Sequence, residues 1–177
     1  MEKDDVVIDS NGNEYRLIKR LGKGGHSEVW KVQDVVSKSF FAYKECKHVN
    51  RFIKDSILEL IHIGKFKDLH GNPVDDIVLP IAVVECDDGT FGYIMELENL
   101  QEYTTLKKIW CGKYPSCVAI CKIVQNLARV FEALNIVGMS FMDIDESSFY
   151  FNLNNGDVRV FNIDNIVNRD RIANVSI

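Results

Sequence analysis

The chain has 177 residues, of which 46% are apolar and 27% charged, and its net charge is −5. This composition is typical of a globular protein with one or two compact units. The acidic balance argues against a nucleic-acid-binding protein, and no apolar run approaches the length of a membrane span.

The first half of the chain is predicted to form mainly β-strands. Short segments rich in β-branched and aromatic residues are the candidate strands, at 14–22, 27–34, 39–46, 76–86 and 90–97. The segment 51–66 differs, because its apolar residues recur every three or four positions, which predicts one helix near 52–64. We therefore expect a five-stranded antiparallel sheet with a single helix.

The second half is dominated by one long helix. Residues 116–137 have the longest helical pattern in the chain, with Pro115 and Ser116 at its start and Gly138 after its end. The segment 147–164 then predicts two short strands around an Asn-Gly turn.

A change of composition near residues 97–104 divides the chain. It places a boundary between a first domain at 1–97 and a second at 98–177. Strands in the first and a long helix in the second make an α+β pattern.

The stretch RLGKGGHSEVWKVQD, at residues 20–34, is rich in glycine. Glycines at 22 and 24 would let backbone N–H groups approach the oxygens of a phosphate closely. A tight hairpin that needs glycine for a positive φ angle would give the same pattern. The loop alone therefore does not distinguish a nucleotide site from a turn.

Four motifs in chain order resemble those of the eukaryotic-type protein kinases. The glycine loop, followed by Val29, resembles Gly-x-Gly-x-x-Gly-x-Val, and FAYK at 41–44 resembles Val-Ala-Ile-Lys. ALNIVGMSFMD, at 133–143, resembles the segment that enters the catalytic loop, and VRVFNID, at 158–164, resembles the strand before Asp-Phe-Gly. The resemblance implies a protein-kinase-like fold, with an antiparallel five-stranded small lobe followed by a truncated, mainly helical large lobe.

The resemblance also implies a site for ATP in the first half. The residues that it assigns to this site are Gly22, Gly24, Ser27, Val29, Ala42, Lys44, Met95, Glu96 and Glu98. Lys44 is expected to reach the α- and β-phosphates, held by an ion pair to Glu59 on the helix. The alternative for Lys44 is a solvated strand residue.

The catalytic loop departs from the family pattern. Asp143 keeps the position that accepts the proton of a substrate hydroxyl, so the implied catalytic residues are Asp143, Lys44 and Glu59. Ser148 and Asn162 occupy the positions at which kinases hold magnesium, and neither brings a charge. Asp164 becomes a ligand only if the strand register slips. We therefore expect ATP to bind weakly or not at all, with little dependence on magnesium.

Three functions remain open at this point. Only 15 residues follow Asn162, so a complete large lobe is not expected. The chain is then a pseudokinase that binds a protein, an active atypical Ser/Thr kinase or a fragment of one, or a partial-kinase decoy that inhibits a true kinase. Loss of the metal ligands favours the pseudokinase, because electrostatic stabilisation is usually the largest catalytic term.

The helix at 116–137 is expected to carry an interaction surface. Its apolar stripe contains Leu127, Val130, Phe131 and Leu134. An exposed apolar patch usually marks an interface, so we expect a protein partner or self-association through this helix, with the tail at 166–177 as an alternative cover.

Five cysteines occur without the spacing of a disulfide framework or a zinc site. This predicts reduced thiols and a cytoplasmic location. Cys117 and Cys121, one turn apart on the long helix, are expected to be small core residues.

Overall fold

The structure, a computed structural model, describes residues 1–25, 27–47, 51–86, 89–110, 114–142 and 144–170. Its strands are β1 (Val6–Ile8), β2 (Glu14–Lys23), β3 (Ser27–Asp34), β4 (Phe40–Cys46), β5 (Phe66–Lys67), β6 (Pro73–Val74), β7 (Pro80–Glu85), β8 (Phe91–Glu96), β9 (Tyr103–Thr105), β10 (Met139–Phe141), β11 (Phe149–Asn152), β12 (Val158–Val160) and β13 (Ile166–Asn168). The helices are α1 (Arg51–Ile63), α2 (Leu106–Trp110) and α3 (Cys117–Ile136), with 3₁₀ turns at Glu146–Ser148 and Ile163–Asn165.

These elements belong to two compact units. The first contains Met1–His62 and Leu79–Glu98, and the second contains Ile63–Val78 and Asn99–Ile177. The sequence-based division into 1–97 and 98–177 did not anticipate that Ile63–Val78 belongs to the second unit. The strands of that segment, β5 and β6, have two residues each, too few to give a periodic pattern.

The first unit is a curled antiparallel sheet with the strand order β1-β2-β3-β4-β8-β7. It has six strands, so the predicted count of five is wrong. The additional strand is β1, which buries only Val7 and is too short to show alternation. Asp9 and Val84 form an antiparallel bridge, and the Ser10 N–H donates to the carbonyl of Val83 at 2.8 Å. The two edges of the sheet are therefore joined beyond β1.

Alternate residues of the six strands fill the inside of the curled sheet. This core contains Val7, Tyr15, Leu17, Trp30, Val32, Tyr43, Val84 and Ile94. Gly92 on β8 is needed for close packing, since a Cβ there would lie 2.5 Å from both Cε2 of Tyr43 and the carbonyl oxygen of Lys44. The ring of Tyr43 thus lies directly on the Gly92 backbone.

The second unit is organised around α3. The hydroxyl of Ser116 caps its first turn by accepting the N–H of Ala119 at 3.1 Å, and Gly138 follows its end with φ of 75°. These are the start and end expected from the sequence. The helix packs on the β5–β6 hairpin and on β10 and β12, and it buries Ala119, Val130, Ala133 and Leu134.

Short antiparallel strands complete the second unit, in the orders β12-β11-β9 and β10-β13. The turn between β11 and β12 contains Gly156, as predicted, with φ of 83°. A Cβ at Gly156 would collide with Cβ of Lys122 and lie 3.0 Å from the carbonyl oxygen of Ala119. The side-chain amide of Asn126 donates to the Gly156 carbonyl at 3.1 Å, so this hairpin is fixed against α3.

Candidate functional site

One face of the first unit's sheet brings together four of the residues assigned to nucleotide binding. In the strand register, Val29 is paired with Lys44 and Ala42 with Met95. Directly paired residues of antiparallel strands share a face, as do residues two apart on one strand. Val29, Ala42, Lys44 and Met95 therefore form one surface, which we call the Val29 face.

Lys44 is the charged member of this face and is only 4% exposed. A buried lysine contradicts the alternative of a solvated strand residue, because lysine is almost never buried without a role in an interaction. Ala42 and Met95 beside it are also buried. Glu59 lies on α1 in the same unit and is half-buried. The ion pair between Lys44 and Glu59 stays a prediction.

The glycine loop connects β2 to β3 beside this face. Gly22 is paired with Val29, and the N–H of Gly24 donates to the carbonyl of Ser27 at 2.8 Å. Neither Gly22 nor Gly24 has a positive φ, and a Cβ on either would meet no heavy atom closer than 3.7 Å. The hairpin interpretation required glycine for a positive φ, so the fold itself does not explain these two glycines.

A carboxylate on the other face of the sheet fixes the strands that hold the loop, and sequence reasoning missed it. Glu28 accepts from Lys47 at 2.9 Å and lies 3.1 Å from Lys23 and 3.8 Å from Arg20. Hydrogen bonds from Lys47 and Lys23 lower the pKa of Glu28 to about 2. The alternation of SEVWKVQD would have placed Glu28 with Trp30 on the inner face, but it gave no indication of three cationic neighbours.

Glu96 and Glu98 lie where the chain leaves the first unit. Glu96 is the last residue of β8, paired with Phe41, and Glu98 is the last residue of the unit. The roles assigned to their backbone groups stay predictions.

The second unit brings Ser148 and Asn162 into direct contact. The amide of Asn162 donates to the hydroxyl oxygen of Ser148 at 3.1 Å and to that of Ser147 at 3.4 Å. Ser148 is fully buried, and Asn162 has a left-handed backbone with φ of 56°. Asp145 caps the preceding 3₁₀ turn through the Ser147 N–H, which lowers the pKa of Asp145. Sequence reasoning did not include Ser147, although the Ser-Ser pair could have suggested a second acceptor.

This pair offers a divalent cation a poor site. Neither Ser148 nor Asn162 has a carboxylate, and the amide N–H₂ of Asn162 points at the serine hydroxyls. Asp164 lies in the next 3₁₀ turn, and Asp143 lies outside the described residues. Within the described part of the chain, no three His, Cys, Asp or Glu side chains are placed to hold a metal ion.

The surface of α3 differs in two respects from the expected one. Val130 and Leu134, predicted to be in the exposed stripe, are buried inside the second unit. The apolar surface of the helix extends around more of its circumference than the unit covers. Ile120 and Val124 are 45% and 59% exposed, and Phe131 contacts the ring of Phe141. The second difference concerns Cys117 and Cys121, which are exposed rather than core residues.

No helix among the described residues has the length and apolarity required to cross a bilayer.

Comparison with known proteins identifies the fold. No family model matches the chain. It is 30% identical over 144 residues to the serine/threonine-protein kinase ppk13 of Schizosaccharomyces pombe, a match that covers 70% of this chain and 39% of the relative.

Solved kinase structures are similar over nearly the whole chain. The structure of vaccinia related kinase 3 superposes with a TM-score of 0.69 at 11% identity, and the BubR1 kinase domain with 0.66 at 15% identity. The matches cover 94% and 96% of this chain, which spans 52% of each of those structures. The chain therefore has a protein-kinase-like fold, and the resemblance to the eukaryotic-type protein kinase superfamily seen in its sequence is confirmed.

Proposed function

We propose that the chain is a kinase-like protein with impaired phosphotransfer, which keeps a weak nucleotide site and acts by binding another protein. The observation that carries this proposal is the 3.1 Å hydrogen bond between the Asn162 amide and the Ser148 hydroxyl. These are the two positions at which the family holds its metal ions.

The chemistry of that hydrogen bond explains the impairment. In phosphoryl transfer the protein and its metal ions mainly neutralise and position the phosphates. A cation shared by the two side chains would take the oxygens of Asn162 and Ser148 as ligands, so the Asn162 N–H₂ could no longer point at Ser148. Buried Ser148 would then lose a hydrogen bond, which costs about 1–3 kcal/mol. This hydrogen bond therefore competes with a cation that both side chains would share.

Retained nucleotide binding is supported by the Val29 face and by the glycine loop. Buried Lys44 supplies a positive charge beside the apolar surface of Val29, Ala42 and Met95. The glycines at 22 and 24 leave room for a phosphate against the backbone. This arrangement suits a nucleotide that binds without a metal ion. The affinity should be low, because Lys44 is the only positive charge that the Val29 face provides.

Calorimetric titration of ATP with and without magnesium tests this proposal. We expect a weak signal that changes little when magnesium is removed. The double variant Ser148→Asn with Asn162→Asp restores the family's ligand types and should introduce a magnesium dependence. Lys44→Met should abolish binding in both backgrounds. Tight and strictly magnesium-dependent binding by the unmodified chain would contradict the proposal.

A radiolabel transfer assay with a generic protein substrate distinguishes a kinase-like protein with impaired phosphotransfer from an active kinase. We expect no transfer above background from the unmodified chain or from Asn162→Asp alone. Robust transfer that Asp143→Ala abolishes would instead support an active atypical kinase.

The protein partner is proposed to be a second copy that pairs through α3. The exposed apolar residues Ile120, Val124 and Phe131 lie along one side of the helix together with Cys117 and Cys121. No charged residue interrupts this stripe, so two copies would pair without opposing like charges.

Sedimentation tests the pairing. The intact chain is expected to be a dimer at micromolar concentration and Val124→Glu a folded monomer, whereas Gln125→Glu, which lies outside the stripe, should not alter the dimer. Val130→Glu is not a suitable test of dimer formation, because Val130 is buried and a charge at this position would disrupt the packing of α3 within its own unit. A monomeric wild-type chain would refute the self-association.

A further inference from the structure

Beyond Val29, the same face of β2 and β3 carries three cations in successive rows. Lys19 is paired with Lys31, and Arg16 with Gln33. Like charges directly opposite each other destabilise an antiparallel pair. None of the three cations forms an ion pair with any described residue. These cations are therefore not neutralised by a carboxylate within the described part of the chain.

The inner face of the same strands provides the contrast. There, Arg20 and Lys23 of β2, together with Lys47 after β4, surround the buried carboxylate of Glu28. Cations on one face of β2 and β3 are thus neutralised by the fold, and those on the other face are left for solvent or a ligand.

The row of Arg16 and Gln33 borders a shallow cavity of about 240 Å³, which Val35 and Lys38 also line. Lys38 donates to the carbonyl of Val35. We call Arg16, Lys19, Lys31 and Lys38 the cationic strip.

An exposed aromatic ring lies next to the cationic strip. Phe40 is paired with Gln33 across β3 and β4 and is 46% exposed. The Lys31 Nζ lies 3.9 Å from its ring centroid, which fixes this lysine beside an apolar contact surface.

We propose that the cationic strip binds an extended acidic peptide segment of a partner protein. Residues on one face of a strand recur about every 6.6–6.8 Å, and so do alternate side chains of an extended peptide. Carboxylates at alternate positions would therefore face successive rows of the strip, with Phe40 beside the row of Arg16 and Gln33.

The acidic residues near the strip favour a narrow occupant. Glu14 lies on the same side of β2 as Arg16, and the backbones of Asp4 and Asp5 hydrogen-bond to Leu17 along the outer edge of β2. The Asp34 carboxylate accepts from the N–H groups of the following turn. A nucleic acid, with its charged backbone and wider footprint, would approach these carboxylates more closely than a single extended peptide would. The inference goes beyond the proposed nucleotide site and does not depend on it.

Fluorescence anisotropy with a labelled peptide of alternating glutamate and threonine tests the proposal on the full chain at low salt. Lys19→Gln with Lys31→Gln removes two exposed ion pairs to the peptide and should weaken binding about twofold to thirtyfold. Lys65→Gln with Lys67→Gln, which removes two exposed lysines from the second unit, should change it less than about twofold.

Thermal unfolding of the same variants shows whether weaker peptide binding comes from loss of the binding site or from loss of the fold. Lys19 forms no ion pair with a described residue, so Lys19→Gln should not lower the melting temperature, whereas it should weaken binding of the peptide. The proposal is overturned if a glutamine-threonine peptide binds equally well, if the double variant binds the acidic peptide as the wild type does, or if oligothymidylate binds more tightly through the same lysines.

Discussion

Replacing Gly92 with alanine is expected to destabilise the first unit. The new Cβ would lie 2.5 Å from the Lys44 carbonyl oxygen and from Cε2 of Tyr43, about 1 Å inside a comfortable contact. Tyr43 is fully buried, so its ring has no free space to move into. An extra methyl group in a packed core costs about 1–3 kcal/mol, and the lower entropy of unfolded alanine offsets about 0.4–1 kcal/mol of this. The net loss should be about 1–2 kcal/mol.

Thermal unfolding followed by circular dichroism measures this loss. For a chain of this size, about 1–2 kcal/mol corresponds to a fall of about 2–8 °C in melting temperature. Gly22→Ala is the matched control, because its Cβ would meet nothing within 4 Å and its φ is not positive. It should leave the melting temperature unchanged or slightly higher. Equal melting temperatures for the two variants would refute the reasoning from close packing.

Three further predictions concern stability. Gly156→Ala should lower the free energy of unfolding at least as much as Gly92→Ala, because it adds a strained positive φ to a collision with Lys122. Urea unfolding measures this loss. No change in stability would mean that the hairpin shifts away from α3. Ser116→Ala should cost about 1 kcal/mol through loss of the α3 cap, and Ser116→Asp should largely restore it in the same assay. The pKa of Glu28 is about 2 in the folded chain and 4.5 for an unperturbed glutamate, so the stabilisation of the fold by ionised Glu28 is complete above pH 4.5 and is lost as the pH falls toward 2. In Glu28→Gln the urea midpoint should therefore vary less over that pH range.

Regular elements could be predicted from the sequence because their side chains repeat. Alternation located β2, β3, β4, β7 and β8, and helical spacing with the Ser116 and Gly138 signals located α3 within one residue at each end. β1, β5 and β6 were missed because two or three residues carry no period. β1 pairs with β2, and β5 pairs with β6, so these strands form by backbone pairing that a pattern of two or three side chains does not reveal.

The candidate site was predictable as a set of positions but not as a set of contacts. The family resemblance assigned Val29, Ala42 and Lys44 to one site, and the strand register places them on one face of the sheet. The hydrogen bond from Asn162 to Ser148 depends on the left-handed backbone at Asn162, which sequence reasoning did not predict. The exposed side of α3 was misplaced because the helix is apolar around more of its circumference than the unit covers.

The segment Ile63–Val78 makes the two units inseparable by a single cut. A fragment ending at residue 98 would contain Phe66 and Val74, which are buried in the second unit, without the α3 surface on which their hairpin packs. The complementary fragment would begin with that part of α3 uncovered. Neither half of the chain is therefore a self-sufficient module for expression, and an exchange of units with another protein of this fold would have to carry Ile63–Val78 along with the helix that it covers.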